Sequence, residues 1–310
     1  MIDRRELLCV GLGTLVAGCL GTRPQVSGEP EAALAALEAR SGGRLGACII
    51  DTATGRTAGW RSSERFAHCS SFKLSLAALV LQGAQAGRWQ LDHRLHWTQG
   101  DLMGNSPVTS AHVAEGLTAA ELARATLVTS DNAAANVLLR WLGGPQAMTA
   151  FWAAIGDTTS RLDRLEPDLN VVPPGSVLDT TTPAAMAATV ARLVTGDVLD
   201  EAGRAMLMSW MVEVQTGTRR LRAGFPAGWV AGDKTGTGLH PQSTIYVDLA
   251  FGGPAPLKGS ARAPLVVAAY FVPPIGGGEL NPAFEGVLAE VGAITAATIA
   301  SEPIAAHAIR

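Results

Sequence analysis

The chain contains few charged residues and no run of basic ones. Only 16% of its 310 residues are charged, and the formal net charge is -3. Proteins that grip nucleic-acid phosphates usually carry a basic patch, so we expect no nucleic-acid partner. Hydrophobic residues make up 47% of the chain. That content excludes a disordered or collagen-like protein and favours one large globular unit or two closely packed domains.

Cysteine and histidine are too few and too scattered to predict a metal site. The four cysteines stand at positions 9, 19, 48 and 69 without CxxC spacing, so neither a zinc site nor a disulfide framework is indicated. His93 and His96 form the only close histidine pair, and no HExxH motif surrounds them. We therefore expect no metal and no other cofactor.

The first 18 residues have the pattern of an export signal. Arg4 and Arg5 precede an apolar stretch, residues 7–17, that is too short to cross a bilayer as a helix. Val16-Ala17-Gly18-Cys19 resembles a bacterial lipobox, and the residues around the arginine pair look like a twin-arginine signal. The alternative is an ordinary signal with a chance cysteine. We predict export to the periplasm, either with or without a lipid anchor at Cys19, and a tether over residues 19–30.

The periodicity of the remaining sequence changes twice along the chain. A helix over 31–40 and two strands, 44–51 and 56–61, come first, and three strands after position 220 precede a closing helix over 282–300. Those three strands, over 229–237, 244–251 and 264–272, are expected to be antiparallel because no crossover helix separates them. The middle of the chain is helical, over 72–82, 118–127, 132–142, 146–155, 183–193 and 201–210. This order predicts an α/β domain built from residues 31–65 and 213–300, and a helical domain of residues 66–212.

Ser70 and Lys73 begin an apolar helix at a spacing that places them on one face. An amine within reach of a serine hydroxyl can remove its proton, and the helix start offers a backbone N–H to an oxyanion. Taken by itself, the pair is equally consistent with an N-capping serine followed by a surface lysine. The chain has only three lysines, however, and a lysine retained where arginine otherwise dominates indicates a site that needs a compact or deprotonatable cation.

Two further short motifs carry groups suited to the same chemistry. In Ser130-Asp131-Asn132, Ser130 offers a hydroxyl that can relay a proton and Asn132 an amide that can orient a substrate, although the trio is also a good helix cap. In the predicted strand 229–237, Lys234 supplies charge for an anion, Thr235 and Thr237 supply hydroxyls, and Gly236 permits close approach to the backbone. The alternative there is an edge strand that ends in a turn.

A polar stretch from Arg164 to Asp179 has the length of an Ω-loop, and these two residues are suited to pairing at its neck. Inside the loop, Glu166 and Asn170 stand four residues apart. Together they can hold one water molecule, with Glu166 as its general base. Taken by itself, the segment is also consistent with a solvated loop that carries ordinary charges.

Together and in this order, the SxxK, SDN and KTG motifs and the acidic loop are those of class A β-lactamases and penicillin-binding proteins. From about residue 31 to residue 300 the chain resembles a class A serine β-lactamase. The resemblance implies a two-domain α/β fold, with a five-stranded antiparallel sheet flanked by helices beside an all-α domain. It also implies hydrolysis of the β-lactam ring, antibiotic resistance, and a monomer.

The resemblance also assigns roles to residues. Ser70 attacks the β-lactam carbonyl, and the N–H groups of Ser70 and Thr237 hold the oxyanion. Either Lys73 or Glu166, through water, takes the Ser70 proton, and Ser130 protonates the lactam nitrogen. Glu166 and Asn170 activate the deacylating water. Substrate binding is implied for Asn132, which takes the amide side chain, and for the groups that take the carboxylate: Lys234, Thr235, Gly236 and Thr237.

The chain departs from the family pattern at three places. Ser243 and Thr244 stand where many relatives have an arginine. Arg220 resembles the arginine that replaces it in another subset of the family. The alternative is that Arg220 belongs to a surface cluster with Arg219 and Arg222. Asn105 stands where an aromatic residue often lines the cleft, so substrate stacking is expected to be weaker. Cys69 has no cysteine after KTG to pair with, and we expect Cys69 and Cys48 to be buried free thiols.

Two rival functions share part of this pattern. A D-alanyl-D-alanine peptidase has the three serine and lysine motifs, and a non-hydrolysing β-lactam sensor would be acylated without turnover. Both lack a deacylating glutamate, so Glu166 and Asn170 favour the hydrolase. We expect a small β-lactam as the substrate.

Overall fold

The structure is a computed structural model that describes residues 29–255 and 264–300. The predicted export signal and Cys19 lie outside these residues. Of the helices in the described ranges, none combines the length and the apolar character that a bilayer crossing needs.

A five-stranded antiparallel sheet forms the centre of the molecule, which confirms the predicted fold class. Its strands are β1 (Arg44–Asp51), β2 (Thr57–Trp60), β3 (Trp229–Gly238), β4 (Ile245–Pro254) and β5 (Leu265–Val272). Their order is β2-β1-β5-β4-β3, so β3 forms one edge of the sheet. In β3 and β4 the register runs without interruption from the pair Trp229 and Pro254 to the pair Gly238 and Ile245.

Helices cover both faces of the sheet. Leu34 and Leu37 of α1 (Glu29–Ser41) and Leu288 of α8 (Pro282–Ala300) pack in one apolar cluster with Tyr246 and Phe271 of the sheet. The larger cluster contains the opposite face and six helices: α2 (Phe72–Gln85), α3 (Ala119–Val128), α4 (Asn132–Trp141), α5 (Gln146–Ala154), α6 (Pro183–Thr195) and α7 (Glu201–Val212). Because the strands are buried on both faces, they read as continuous apolar runs.

Helix α1 begins two residues before its predicted start. The last two residues of the predicted tether, Glu29 and Pro30, are therefore helical. Proline fits the first turn of a helix because its missing N–H needs no partner there, and acidic side chains at this end favour the helix dipole. Reading Pro30 as a loop residue was the error.

Four strands of two residues were not predicted. Phe66–Ala67 pairs with Thr180–Thr181, and Arg94–Leu95 pairs with Leu117–Thr118. The first pair joins the approach to Ser70 to the end of the Ω-loop. Such short bridges leave no recognisable period in the sequence, because two residues span a single repeat of the strand alternation.

Candidate active site

Ser70 lies in a short 3₁₀ turn, Cys69–Ser71, that leads directly into α2. Its Oγ accepts a hydrogen bond from Lys73 Nζ at 2.9 Å and donates to Glu166 Oε1 at 3.3 Å. Lys73 Nζ and Glu166 Oε1 are themselves 2.9 Å apart, and both side chains are fully buried. The hydroxyl of Ser70 therefore contacts two groups that can take its proton.

Lys73 is surrounded by oxygen atoms. Besides Ser70 and Glu166, its Nζ meets the backbone oxygen of Ser130 at 3.0 Å, Ser130 Oγ at 3.5 Å and the side-chain oxygen of Asn132. These acceptors are more than enough for its N–H groups. The lysine links the helix of the nucleophile to the Ser130 loop.

In the Ser130-Asp131-Asn132 motif, capping and site functions belong to different residues. Asp131 caps α4 and accepts from the backbone N–H groups of Ala134, Val108 and Thr109, each at 2.9 Å. Ser130 and Asn132 line the cleft instead. The interpretation of this motif as a helix cap is thus correct for Asp131, and the hydrogen bonds of Asp131 fix the positions of Ser130 and Asn132.

Asn105 lies beside the Ser130 loop and holds it in place. Its Nδ2 donates to the backbone oxygen of Ser130 at 2.7 Å, and its own backbone oxygen accepts from the N–H of Asn132 at 2.8 Å. Asn132 Nδ2 donates to the backbone oxygen of Gly104 at 2.9 Å. Asn105 is therefore part of the cleft wall, and its side-chain amide is hydrogen-bonded to the Ser130 loop.

Strand β3 passes directly beside the nucleophile. A Cβ at Gly236 would lie 2.7 Å from the backbone oxygen of His68 and 3.2 Å from the backbone nitrogen of Ser70. Only glycine allows this approach. Thr235 Oγ1, next on the strand, shares a hydrogen bond with Thr216 Oγ1 at 2.7 Å.

Lys234 is fully buried, and its Nζ donates to Ser130 Oγ at 3.1 Å and to the backbone oxygen of Thr235 at 2.7 Å. Burial, and to a smaller extent the nearby charge of Lys73, lowers its pKa to about 7, while Asp233 and Asp248 oppose the change. Ser130 therefore stands between two lysines, which is the position required of a proton relay.

Arg220 is buried and not part of a surface cluster, so that alternative is wrong. It is 2% exposed, and its Nη1 donates to the backbone oxygens of Gly236 and Val247, both at 2.9 Å. Nη2 donates to Thr237 Oγ1 at 2.7 Å, and Nε donates to Glu285 Oε1 at 3.3 Å. The preceding residue, Arg219, is exposed.

Glu285, in the first turn of α8, was missed by sequence reasoning. It is the carboxylate that neutralises Arg220, and it lines the cleft at only 6% exposure. No motif surrounds it, and the partner lies 65 positions away. Thr244 is also buried, but its hydroxyl bonds to the backbone oxygen of His240 at 3.0 Å and lies outside the cleft.

The Ω-loop closes at its neck as the sequence predicted. Arg164 Nε lies 2.6 Å from Asp179 Oδ2, and Asp179 also accepts from two backbone N–H groups. Inside the loop, Asn170 Nδ2 donates to Glu166 Oε2 at 2.5 Å. Asn136 of α4, which sequence reasoning missed, holds the backbone of Glu166 with bonds of 2.9 and 3.0 Å.

These elements enclose a cleft of about 580 Å³. Helices and the Ω-loop provide one wall, and β3 with the start of α8 provides the other. Its lining includes most of the predicted site residues: Ser70, Asn105, Ser130, Asn132, Asn170, Arg220, Thr235, Gly236 and Thr237. Lys73, Glu166 and Lys234 are buried beneath it. Within residues 29–255 and 264–300, no three His, Cys, Asp or Glu side chains are grouped as metal ligands.

The sequence model of the β-lactamase enzyme family matches residues 29–249. The β-lactamase CTX-M-8 of Citrobacter amalonaticus is 43% identical over 273 residues, which cover 88% of this chain and 91% of that protein. The β-lactamase L2 of Stenotrophomonas maltophilia is 48% identical over 223 residues, which cover 72% of this chain and 74% of its own.

Solved structures match in the same way. A mutant of the class A β-lactamase of the last common ancestor of Gram-negative bacteria has a TM-score of 0.82 at 47% identity, and covers 89% of this chain and 100% of its own. The chain belongs to the class A β-lactamases. A β-lactamase from Burkholderia vietnamiensis also matches, with a TM-score of 0.81 at 44% identity over 90% of this chain and 99% of its own. Class A β-lactamases are hydrolases of the β-lactam amide bond, so the predicted enzyme class is confirmed.

Both described cysteines of this class A enzyme are free and buried, as predicted. Burial raises the pKa of the Cys48 thiol to about 12 and raises that of Cys69 as well. Cys69 Sγ lies 3.2 Å from where a Cβ on Gly238 would be. The thiol beside the nucleophile thus faces a glycine of β3.

Proposed function

We propose that the enzyme hydrolyses β-lactam antibiotics through an acyl-enzyme on Ser70, which a water activated by Glu166 then releases. The observation that carries this proposal is the contact of Ser70 Oγ with Lys73 Nζ at 2.9 Å and with Glu166 Oε1 at 3.3 Å. A serine becomes a nucleophile when a base removes its proton, and two candidate bases are in place.

In acylation, Ser70 Oγ forms a bond to the lactam carbonyl carbon, and the carbon–nitrogen bond of the ring breaks. The Ser70 proton goes to Lys73 or, through water, to Glu166; the geometry supports both routes. The backbone N–H of Ser70 lies beside Gly236, and Thr237 follows Gly236 on β3, so the N–H groups of Ser70 and Thr237 are the donors that can hold an oxyanion. Ser130, which contacts both lysines, gives its proton to the departing nitrogen and takes one from Lys73. On the Glu166 route, Glu166 then passes its proton to Lys73, 2.9 Å away, and is a carboxylate again before deacylation.

The substrate carboxylate is bound by Lys234, Thr235 and Thr237. Arg220 acts on it through Thr237: because Thr237 Oγ1 accepts from Arg220, the Thr237 proton is free to donate into the cleft. Four of the five N–H donors of Arg220 are used on the protein, and its charge is paired with Glu285. The main role of Arg220 is thus to position the Thr237 hydroxyl, and attraction of the substrate carboxylate by its charge is secondary.

In deacylation, Glu166 takes a proton from water, whose oxygen attacks the ester carbon and displaces Ser70 Oγ, and Glu166 returns the proton to Ser70 Oγ. Asn170 Nδ2 holds Glu166 Oε2 in place. Asn170 Oδ1 has no hydrogen-bond partner within the described part of the chain, so it is available to accept from that water. Asn132 lines the cleft on the same wall, where it can take the amide side chain of the substrate.

The decisive experiment compares residues 26–310 with their Glu166→Gln and Ser70→Ala variants. A chromogenic cephalosporin is added, and colour and intact protein mass are followed together. We expect turnover in the parent, an acyl adduct that persists in Glu166→Gln, with deacylation slower by about 10²- to 10⁴-fold, and no adduct in Ser70→Ala. A persistent adduct in the parent itself would favour the peptidase or sensor function.

We also propose that the enzyme is exported to the periplasm and anchored by a lipid on Cys19. The support is the signal-like pattern of residues 1–18 and the lipobox-like motif Val16-Ala17-Gly18-Cys19. Cells that express the full chain or its Cys19→Ala variant are fractionated, and activity is measured in the membrane and soluble fractions. We expect the variant to move to the soluble fraction; a variant that still sediments with membranes would refute the anchor.

A further inference from the structure

Two carboxyl groups that the proposed reaction does not use are buried beside Lys234. Asp233 precedes it on β3, and Asp248 lies on β4, where it pairs with Thr235. Both are completely buried. Because side chains alternate along a strand, Asp233 shares a face with Thr235 and Asp248, and the two carboxyl groups are diagonal neighbours, close enough for the charge of one to act on the other.

The two groups have too few partners for two negative charges. Asp233 Oδ2 lies 3.1 Å from Arg222 Nε, and Asp248 Oδ2 accepts from the backbone N–H of Leu221 at 3.1 Å. Within the described residues, Asp248 Oδ1 and the oxygens of Asp233 have no hydrogen-bond partner beyond that one ion pair. Arg222 uses its remaining nitrogens on the backbone oxygens of Val212 and Val214.

Backbone packing excludes solvent from this cluster. A Cβ at Gly217 would lie only 1.4 Å from Asp233 Oδ2, so the segment before Arg220 rests directly on the carboxyl group. Burial raises the pKa of Asp233 to about 6, and burial together with the charge of Asp233 raises the pKa of Asp248 well above its usual value. Two buried carboxyl groups that share a site ionise one at a time.

Lys234 needs a negative charge close by. The groups that face it are Lys73 of α2, Arg220 from the segment between α7 and β3, and the two aspartates. Lys73 is paired with Glu166, and Arg220 with Glu285. Within the described ranges, the hydrogen bonds of Lys234 go to neutral oxygens, those of Ser130 and Thr235. The carboxyl pair is therefore the source of its counter-charge.

We propose that Asp233 and Asp248 form a carboxyl pair that shares one proton, and that the single negative charge of the pair keeps Lys234 cationic for binding of the substrate carboxylate. The inference rests on the proposed role of Lys234. Asp233 and Asp248 are positioning residues, since they act through Lys234. Either aspartate can carry the charge: neutralising one removes its repulsion, and Arg220 and Arg222 then favour ionisation of the other against the penalty of burial.

The test uses Asp233→Asn, Asp248→Asn and the double variant of residues 26–310, with Asp197→Asn, at an exposed loop carboxyl, as the control. Asparagine keeps an acceptor for the N–H of Leu221. We expect each single variant to keep the basic limb of the pH profile of kcat/KM for the chromogenic cephalosporin. The double variant shifts that limb to lower pH by about one unit, mainly through KM. A single variant that shifts it as far as the double one, or a double variant without a shift, would overturn the proposal.

A second measurement does not depend on activity. Infrared difference spectra of protein labelled with ¹³C-aspartate detect the C=O stretch of a protonated carboxyl group at pH 7. We expect this band in the parent and in Asp197→Asn, and its loss in both single variants and in the double variant. A parent spectrum identical to that of Asp248→Asn would refute the shared proton. If the band is present while Lys234 proves dispensable for substrate binding, the proposed function fails and the carboxyl pair stands.

Discussion

Replacing Gly236 with alanine tests whether the closeness of β3 to the nucleophile controls the rate. The new Cβ would lie 2.7 Å from the backbone oxygen of His68, 3.0 Å from the nitrogen of Ser71 and 3.2 Å from that of Ser70. All three are backbone atoms of one turn, so no side chain can rotate away. To reach an ordinary contact of about 3.4 Å at His68, β3 and the turn must separate by about 0.7 Å.

This separation widens the space between the N–H groups of Ser70 and Thr237. Loss of one oxyanion donor costs about 10²- to 10³-fold in kcat, and a displacement near 1 Å can cost about 10²-fold. We therefore expect Gly236→Ala to lower kcat by about 100-fold, or about 2.7 kcal/mol in activation free energy. KM should change by less than about threefold, because the carboxylate is bound by side chains that remain.

Steady-state kinetics with a chromogenic cephalosporin, together with the rate of acyl-adduct formation by mass, measures this effect. The matched control is Gly286→Ala on α8, where a Cβ meets nothing within 4 Å. We expect the control to keep its rate. A Gly236→Ala enzyme that is folded and retains kcat within about threefold of the parent would show that the close approach does not set the oxyanion geometry.

Three further outcomes follow from the site. KM for a carboxylate-bearing substrate should rise above about pH 7, toward about tenfold per pH unit, because Lys234 loses its charge as the pH passes its lowered pKa; a KM that is flat to pH 9 would contradict this. Arg164→Ala should lower the free energy of unfolding by about 2–3 kcal/mol, measured by urea denaturation, because it leaves the buried Asp179 without its counter-ion. In residues 26–310, a thiol reagent should titrate neither Cys48 nor Cys69 until denaturant is added, since both are buried and burial raises their pKa values.

Local patterns were enough to predict most of the fold. Strand β1 has the predicted bounds, and α8 spans the predicted residues 282–300. Helix α2 continues to Gln85, three residues beyond its predicted end, and passes through Gly83, which is buried against Trp89 and does not end the helix. Apolar periodicity is a property of neighbouring residues, so it can be read from the sequence without knowledge of packing.

Contacts between distant residues could not be predicted in this way. Glu285, Asn136 and Asp248 each act on a partner between 27 and 65 positions away, and none stands in a motif. Arg220 was open to two interpretations because three arginines follow one another in the short stretch from 219 to 222. Which of them is buried depends on the position of β3 and α8, and that is a property of the folded chain.

The turns of the site explain why its geometry left so little trace in the sequence. Among the described residues, five that are not glycine have positive φ, and four of them surround the site: Cys69, Asn105, Ser130 and Asp179. Glycine would adopt these turns without strain, which costs about 1–3 kcal/mol at other residues. Glycine would also remove the Ser130 hydroxyl between two lysines, the Asn105 amide that holds Ser130, and the Asp179 carboxylate at the loop neck. The chain keeps these functional side chains and tolerates the backbone strain. The turns that shape the site therefore lack glycine, the residue by which such turns are recognised in a sequence.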